Sequence, residues 1–293
     1  MATGRFAPSP TGELHIGNLR TAMVAWLAAR STSSAFLLRM EDLDRVTSAR
    51  DHEVGQQRDL TAIGLDWDGA VVRQSERFDR YEAAIARLDD AGQTYPCFCS
   101  RREIREAPRA PHSPPDVYPG TCRDLGAADR AAKEASGRPP ALRLRTEGEV
   151  VSFTDAIAGQ HEGRVDDVVL RRNDGVPAYQ LAVVVDDAAQ GVEQVVRGDD
   201  LLGSTPSQIH LARLLGLAEP SYAHVPLVVG EDGSRLAKRH GAVTLTDLRA
   251  QGIDAAQLRS LLAVSLGWAE RGEPVEMDQL LVRFALATIP RTA

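Results

Sequence analysis

From Gly4 to Arg20 the chain reads Gly-Arg-Phe-Ala-Pro-Ser-Pro-Thr-Gly-Glu-Leu-His-Ile-Gly-Asn-Leu-Arg, and few folds accommodate that order. The apolar run around Phe6 predicts a first strand. Pro8, Pro10 and Gly12 predict a rigid turn, and Leu14 to Arg30, Ala-rich and apolar-periodic, predicts a helix. This succession sets the helix N-terminus, with its free N–H groups and partial positive charge, at the carboxyl end of a strand. That is an anion site of the kind open α/β sheets provide. Neither GxGxxG nor the P-loop pattern occupies the turn, which argues against a dehydrogenase or a P-loop ATPase.

What stands at that N-terminus is His15-Ile16-Gly17-Asn18. An imidazole donates a hydrogen bond to a phosphate oxygen in either protonation state, and Gly17 removes a side chain where a flat adenine ring can lie against the helix. The competing reading is local, a histidine that merely caps the helix. Net charge is −7, so indiscriminate adhesion to nucleic acid is excluded and a polyanion would have to be met locally. Residues 97–147 carry ten Arg/Lys against seven acids, and residues 1–40 carry Arg5, Arg20, Arg30 and Arg39 against Glu13. No apolar run approaches the ~18 residues of a membrane span, and no signal peptide opens the chain, so a cytoplasmic protein is expected.

Ala35 to Met40 predicts a second buried strand, ending in Glu41, Asp42 and Asp44, three acids that require a cation, an ammonium group or an Arg among them. Helices are expected over 48–63 and 76–91. Pro177 to Val185, continuous in apolar residues, predicts a buried parallel strand. Val195 to Asp200 reads as another strand end. Thr205 and Pro206 are expected as N-cap and first-turn proline of a helix to Leu215. Tyr222 to Val229 reads as the last strand. The basic, Gly-bounded loop 230–241 holds Arg235, Lys238 and Arg239 and could close over a triphosphate, while 241–293 predicts a small helical tail with Leu258 to Trp268 packed inward.

All three cysteines, Cys97, Cys99 and Cys122, fall in a Pro- and Arg-rich window of 26 residues. Clustered thiols in a cytosolic chain point to a metal rather than a disulfide, and zinc wants a fourth ligand. Tyr118, Asp116 and His112 are the candidates. The alternation from Ala141 to Arg172 predicts short strands belonging to the same insertion.

Taken together, Arg5-Phe-Ala-Pro-Ser-Pro-Thr-Gly, His15-Ile-Gly, Arg39-x-Glu-Asp-x-Asp44, Arg197-Gly-Asp-Asp and Leu236-Ala-Lys238 resemble the catalytic core of the glutamyl-tRNA synthetases over about residues 4–270. Asn18 replaces the last His of the HIGH motif, and Arg235-Leu-Ala-Lys238-Arg stands at KMSKS with both serines gone. The chain ends at Ala293, where a complete glutamyl-tRNA synthetase continues into a long helical anticodon-binding part, and its Cys-x-Cys…Tyr-x-x-x-Cys pattern is similar to that of the short glutamyl-queuosine tRNA(Asp) synthetases.

The resemblance implies an α/β, class I synthetase-type Rossmann-like domain with a parallel sheet, divided as 1–95 and 175–240, a zinc-bearing insertion at 96–174 and a helical tail at 241–293. It implies ATP-dependent activation of L-glutamate and transfer to the queuosine of tRNA(Asp) by a monomeric, cytoplasmic ligase with Mg²⁺ and Zn²⁺. His15 and Lys238 are implied as catalytic, with Gly17 and Asn18 completing the ATP site. Arg5, Phe6, Ala7, Pro8, Ser9, Glu41, Tyr179 and Arg197 are implied to hold glutamate, and Cys97, Cys99, Tyr118 and Cys122 the zinc. A truncated synthetase charging tRNA(Glu) and a non-catalytic RNA-binding paralogue are the alternatives.

Overall fold

Strand β1 (Gly4–Phe6), helix α1 (Ile16–Arg30) and strand β2 (Phe36–Met40) form in the expected order and build the first βαβ unit of a parallel sheet. The structure is a computed structural model that describes residues 2–106, 118–227 and 243–290. Helix α2 (Arg50–Ala62), strand β3 (Val72–Arg73) and helix α3 (Phe78–Asp90) follow. In α3 the buried Tyr81, Ala84, Ile85 and Leu88 fall at helical spacing on one face. Next come β4 (Thr94–Cys97), α4 (Arg101–Glu106), α5 (Ala127–Ala135), β5 (Ala141–Leu144), β6 (Val150–Asp155), β7 (Gly159–Arg164) and β8 (Val169–Arg171). Helix α6 (Tyr179–Ala189), strand β9 (Gln194–Gly198), helix α7 (Thr205–Leu214) and strand β10 (Ser221–Val225) come next. The tail holds α8 (Leu245–Ala250), α9 (Ala255–Ser265) and α10 (Met277–Arg283).

Seven strands join in the order β3-β2-β1-β9-β10-β6-β7, all parallel except the β6–β7 hairpin. Alternation decides which side each residue serves. Phe36, Leu38, Val196 and Ala223 pack with α1 and the tail helices, whereas Leu37, Val195 and Tyr222 pack with Ile209 of α7 on the other face. Helix α1 is therefore sandwiched, and nearly every residue from Leu19 to Ala29 is buried.

Three expectations are corrected. Pro177 to Val185 is not a strand, because Tyr179–Ala189 is a helix. Its run Leu181–Val185 is apolar throughout because the helix is packed against α3, α7 and β8, and a run buried on all sides shows no period by which helix and strand can be told apart. The strands of 141–172 do not stay together in an insertion. β5 and β8 pair with β4 in a separate three-stranded antiparallel sheet, while β6 and β7 extend the main sheet next to β10. Pro96 is tolerated because β4 is an edge. Finally, Ser204 rather than Thr205 is the N-cap of α7, with Pro206 in the first turn, which frees the Thr205 hydroxyl for another partner.

Helix α1 is tied to the tail by Arg20, fully buried, which donates to Pro226 O (2.7 Å), Ser265 Oγ (3.0 Å) and Ser265 O (3.4 Å). Burial lowers its pKa to about 10, with the nearby Asp199 opposing. Arg20→Met removes the donors and leaves buried acceptors unpaired, so it is expected to cost about 2–4 kcal/mol in urea unfolding followed by circular dichroism. A loss near zero would mean that these contacts contribute nothing to the docking of the tail.

Candidate active site

The carboxyl ends of β1 and β9 and the N-terminus of α1 enclose a cavity of about 430 Å³. Its walls include Arg5, Phe6, Ala7, Pro8, Ser9, His15, Gly17, Asn18, Glu41, Tyr179 and Arg197, residues drawn from across the chain, together with Asp200 and Leu227. Lys238 and the loop 230–241 lie outside the described residues.

His15 both caps the helix and faces the cavity, so the two readings of it coexist. Its Nδ1 accepts the Asn18 N–H (3.2 Å), and Asn18 Oδ1 accepts the His15 N–H in return (3.3 Å). A nitrogen that accepts from an N–H carries no proton, so the imidazole proton sits on Nε2 as a donor. Burial lowers the pKa of His15, with Asp200 opposing, and the ring stays neutral near pH 7. Gly17 has a reason that the sequence did not reveal. A Cβ there would lie 3.1 Å from both Cε1 and Nδ1 of His15 and would press on that ring.

Four buried charges set the electrostatics of the opposite wall. Arg39 is enclosed and donates to Asp187 Oδ1 (2.7 Å), Gln190 Oε1 (2.8 Å) and Glu41 Oε1 (3.2 Å). Arg5 is also spoken for: its Nε and Nη2 reach Asp187 (3.1 and 3.4 Å) and its Nη1 reaches Val196 O. Glu41 is pushed above the usual carboxylate range by burial, against the pull of Arg39 and Arg5. Among the described residues nothing donates to its Oε2.

Arg197 differs from the other two arginines. The residue is 5% exposed, and its guanidinium donates to His224 Nε2 (3.0 Å), Gln208 Oε1 (2.7 Å), Thr205 Oγ1 (2.9 Å) and Leu201 O (3.5 Å), all uncharged acceptors. No carboxylate of the described residues pairs with it. A buried cation left so is costly, and an anion in the cavity would relieve it.

Several of these partners were not anticipated. Asp186 and Asp187 lie at the end of α6, and their inward direction depends on that segment being a helix. Asp186 gathers Tyr81 Oη (2.7 Å), Arg77 Nε (2.6 Å) and Gln74 Nε2 (3.0 Å). His224, Asp155 and Gln208 come from β10, β6 and α7, and nothing in their local sequence marks them. The adjacent acids after an apolar run, Asp186-Asp187, were the available signal.

Away from the cavity, the Sγ atoms of Cys97, Cys99 and Cys122 lie within 4.8 Å of one another, with Cys99 and Cys122 at 3.5 Å. Tyr118 Oη is 3.3 Å from Cys97 Sγ and 3.7 Å from Cys99 Sγ and accepts the Cys122 N–H (2.8 Å). A tetrahedral zinc with Zn–S bonds of about 2.3 Å spaces its sulfurs about 3.8 Å apart, so this cluster has the right size and four donors. Burial pushes the Cys99 thiol up to about 12, a cost that a divalent cation would offset. His112 and Asp116 lie outside the described residues.

Residues 1–287 match the family model for class I tRNA synthetases (E and Q), catalytic domain. The chain is 61% identical to a glutamyl-Q tRNA(Asp) synthetase of Nocardia farcinica over 98% of this chain and 91% of that protein. It is 49% identical to a protein of the same name from Symbiobacterium thermophilum, over 99% and 94%. The crystal structure of a glutamate-tRNA synthetase from Elizabethkingia anophelis superposes with a TM-score of 0.83 at 26% identity, covering 99% of this chain and 67% of that one.

The histidine environments carry a consequence for pH. His15 and His224 are both held below the ordinary value by burial, opposed by Asp200 and by Asp155 respectively. The unfolded chain therefore binds more protons than the native one as pH falls through about 6.5, so stability drops toward acid. NMR titration of the imidazole C–H signals should place both midpoints below 6.5; a midpoint above it for either ring would contradict its neutral assignment.

Proposed function

Since this chain belongs to the family of class I tRNA synthetase catalytic domains for Glu and Gln, we propose that it activates L-glutamate with ATP and transfers the glutamyl group to the queuosine of tRNA(Asp). The observation that carries the amino-acid assignment is Arg197, a buried guanidinium at the wall of the cavity whose partners among the described residues are all neutral. A side-chain carboxylate completes it, whereas Arg5 is already neutralised by Asp187. Glu41, with one oxygen unengaged among the described residues, suits the substrate ammonium group, and Tyr179 closes the same wall beside it. The backbone of 6–9 and Ser9 line the remaining space.

In the first step an oxygen of the glutamate α-carboxylate attacks the α-phosphorus of ATP. The bond from that phosphorus to the bridging oxygen breaks, and pyrophosphate leaves. Catalysis is then mostly positioning and charge stabilisation. His15 donates to a phosphate oxygen through Nε2–H, and the positive end of the α1 dipole adds its partial charge. Gly17 and Asn18 shape the purine side, and Lys238 is assigned to the phosphates from its place in the sequence. Mg²⁺ would arrive with the nucleotide, held chiefly by phosphate oxygens. In the second step a hydroxyl of the queuosine cyclopentenediol attacks the acyl carbon and AMP departs.

The four-donor cluster of Cys97, Cys99, Tyr118 and Cys122 is assigned to a structural Zn²⁺ that braces β4 and the segment after it and takes no part in the chemistry. Purified protein should contain about one zinc per chain by plasma mass spectrometry, and Cys99→Ser should lose most of it along with thermal stability. Full stability without metal would remove the assignment. No helix of the described residues is long and apolar enough to cross a membrane, and the reading expects a cytoplasmic monomer.

Transfer of labelled glutamate to tRNA(Asp) with and without queuosine, beside tRNA(Glu), tests the function. Labelling confined to queuosine-bearing tRNA(Asp) is expected; labelling of tRNA(Glu) would make the protein a minimal charging enzyme instead. Arg197→Ala should reduce glutamate-dependent pyrophosphate exchange by at least about 100-fold, the scale of a lost charge-assisted clamp, and near-normal exchange would refute its role.

A further inference from the structure

Behind Arg197 lies a hydrogen-bonded chain that no motif announces. Asp155 Oδ2 meets His224 Nδ1 at 2.6 Å, and His224 Nε2 meets Arg197 Nε at 3.0 Å. Neither Asp155 nor His224 lines the cavity, and the side chains of both are fully buried. The directions are determined. An arginine Nε–H can only donate, so Nε2 must be the acceptor and the imidazole proton must sit on Nδ1, pointing at Asp155. Asp155 is held in turn by the backbone N–H groups of Ile157 (2.9 Å) and Ala158 (2.8 Å), and of His224 itself.

Resting on the glutamate reading above, we propose that Asp155 and His224 are positioning residues that hold Arg197 in one orientation and keep its surroundings neutral, and so select a substrate side chain bearing a carboxylate over its amide. The reason is electrostatic. Were Arg197 paired directly with Asp155, its charge would be cancelled and an amide would serve as well as a carboxylate. With a neutral imidazole interposed, the carboxylate fixes geometry one residue away, and the cation keeps its need for an anion.

The arrangement works only while His224 is neutral. A proton on Nε2 removes the acceptor and sets an imidazolium against the guanidinium. The groups facing His224 are Asp155 on β6, Arg197 on β9, Thr205 at the start of α7 (3.3 Å) and, across the Phe153 and Tyr222 rings, His161 on β7. Burial opposes the charge on Asp155, but the hydrogen bond from His224 and those from the backbone bring its pKa down to about 2, so it stays ionised throughout the neutral range. Acidification below 6.5 therefore weakens glutamate binding through His224 alone among the pair.

The test is glutamate-dependent pyrophosphate exchange by the full-length protein from pH 5.5 to 8, with KM for glutamate and for ATP measured separately. His224→Ala and Asp155→Asn should each raise KM for glutamate about 10- to 100-fold, as expected for a lost hydrogen bond to a charged group, with kcat and KM for ATP moved far less. His224→Gln, whose amide oxygen can take the place of Nε2, should recover most of that loss and abolish the acid rise in KM, because nothing remains to titrate. In His224→Ala the preference for glutamate over glutamine should shrink. A purely structural role would lower thermal stability and both KM values together and leave the pH profile of His224→Gln like that of the parent, which would overturn the proposal. If the parent protein shows no glutamate-dependent exchange, the glutamate reading falls. If it does and all three variants keep its KM and pH profile, that reading stands and the relay falls.

Discussion

The cost of burying positive charge beneath a parallel sheet governs this molecule. Arg5, Arg39 and Arg197 all lie at strand positions in or beside the cavity wall, where hydration is lost and each must be met by fixed partners. Two of them share Asp187, which they hold below the usual carboxylate range despite its burial. The third is surrounded by a ring nitrogen, an amide oxygen, a hydroxyl and a carbonyl. The asymmetry is what turns a structural network into a recognition site. Paired charges build the wall, and the one without a charged partner among the described residues is where the proposed reading seats the substrate carboxylate.

The second constraint is the helix start opposite. The N-terminus of α1 has orphan N–H groups whether or not a ligand is present, and His15 and Asn18 satisfy two of them by reciprocal capping. The same bonds fix the imidazole tautomer that leaves Nε2–H as a donor. Local helix chemistry and, on the proposed reading, phosphate binding thus use opposite edges of one ring. Gly17 keeps that ring in place by having no side chain to crowd it. Asn18, standing in place of a second histidine, supplies through its amide oxygen the acceptor that the cap requires.

Beyond the cavity, the molecule is braced by elements that come from late in the chain. Ile16 donates its N–H to Val243 O (2.9 Å), and Thr246 Oγ1 donates to Glu13 Oε1 (2.6 Å), so the tail clasps both sides of the turn that carries His15. The small β4-β5-β8 sheet carries the cysteine cluster, with Arg143 stacked 3.8 Å over the Tyr118 ring. Of these contacts, those of the tail hold the turn that forms one side of the cavity.

Much of the site was legible in the chain because its residues act locally or belong to short ordered motifs. The strand–turn–helix of 4–30, Glu41 just past Met40, the Arg197 strand end and the cysteine window each follow from residues that are neighbours in sequence, whereas Asp42 and Asp44 turn away from the cavity to accept from Ser75 and from the Val46 N–H. The largest error has a plain physical source. Leu181–Val185 is apolar on every side because it is enclosed on every side, so burial erased the period that would have marked a helix. With it went the inward direction of Asp186 and Asp187. The destination of β6 and β7 was equally hidden, since an alternating strand says which face is wet but not which neighbour it joins. The sequence by itself determined which chemical groups reach the cavity. Only the tertiary structure decided which arginine is neutralised and which is left charged, because that depends on Asp187, His224 and Asp155 being brought together from α6, β10 and β6 across distances that no local pattern spans.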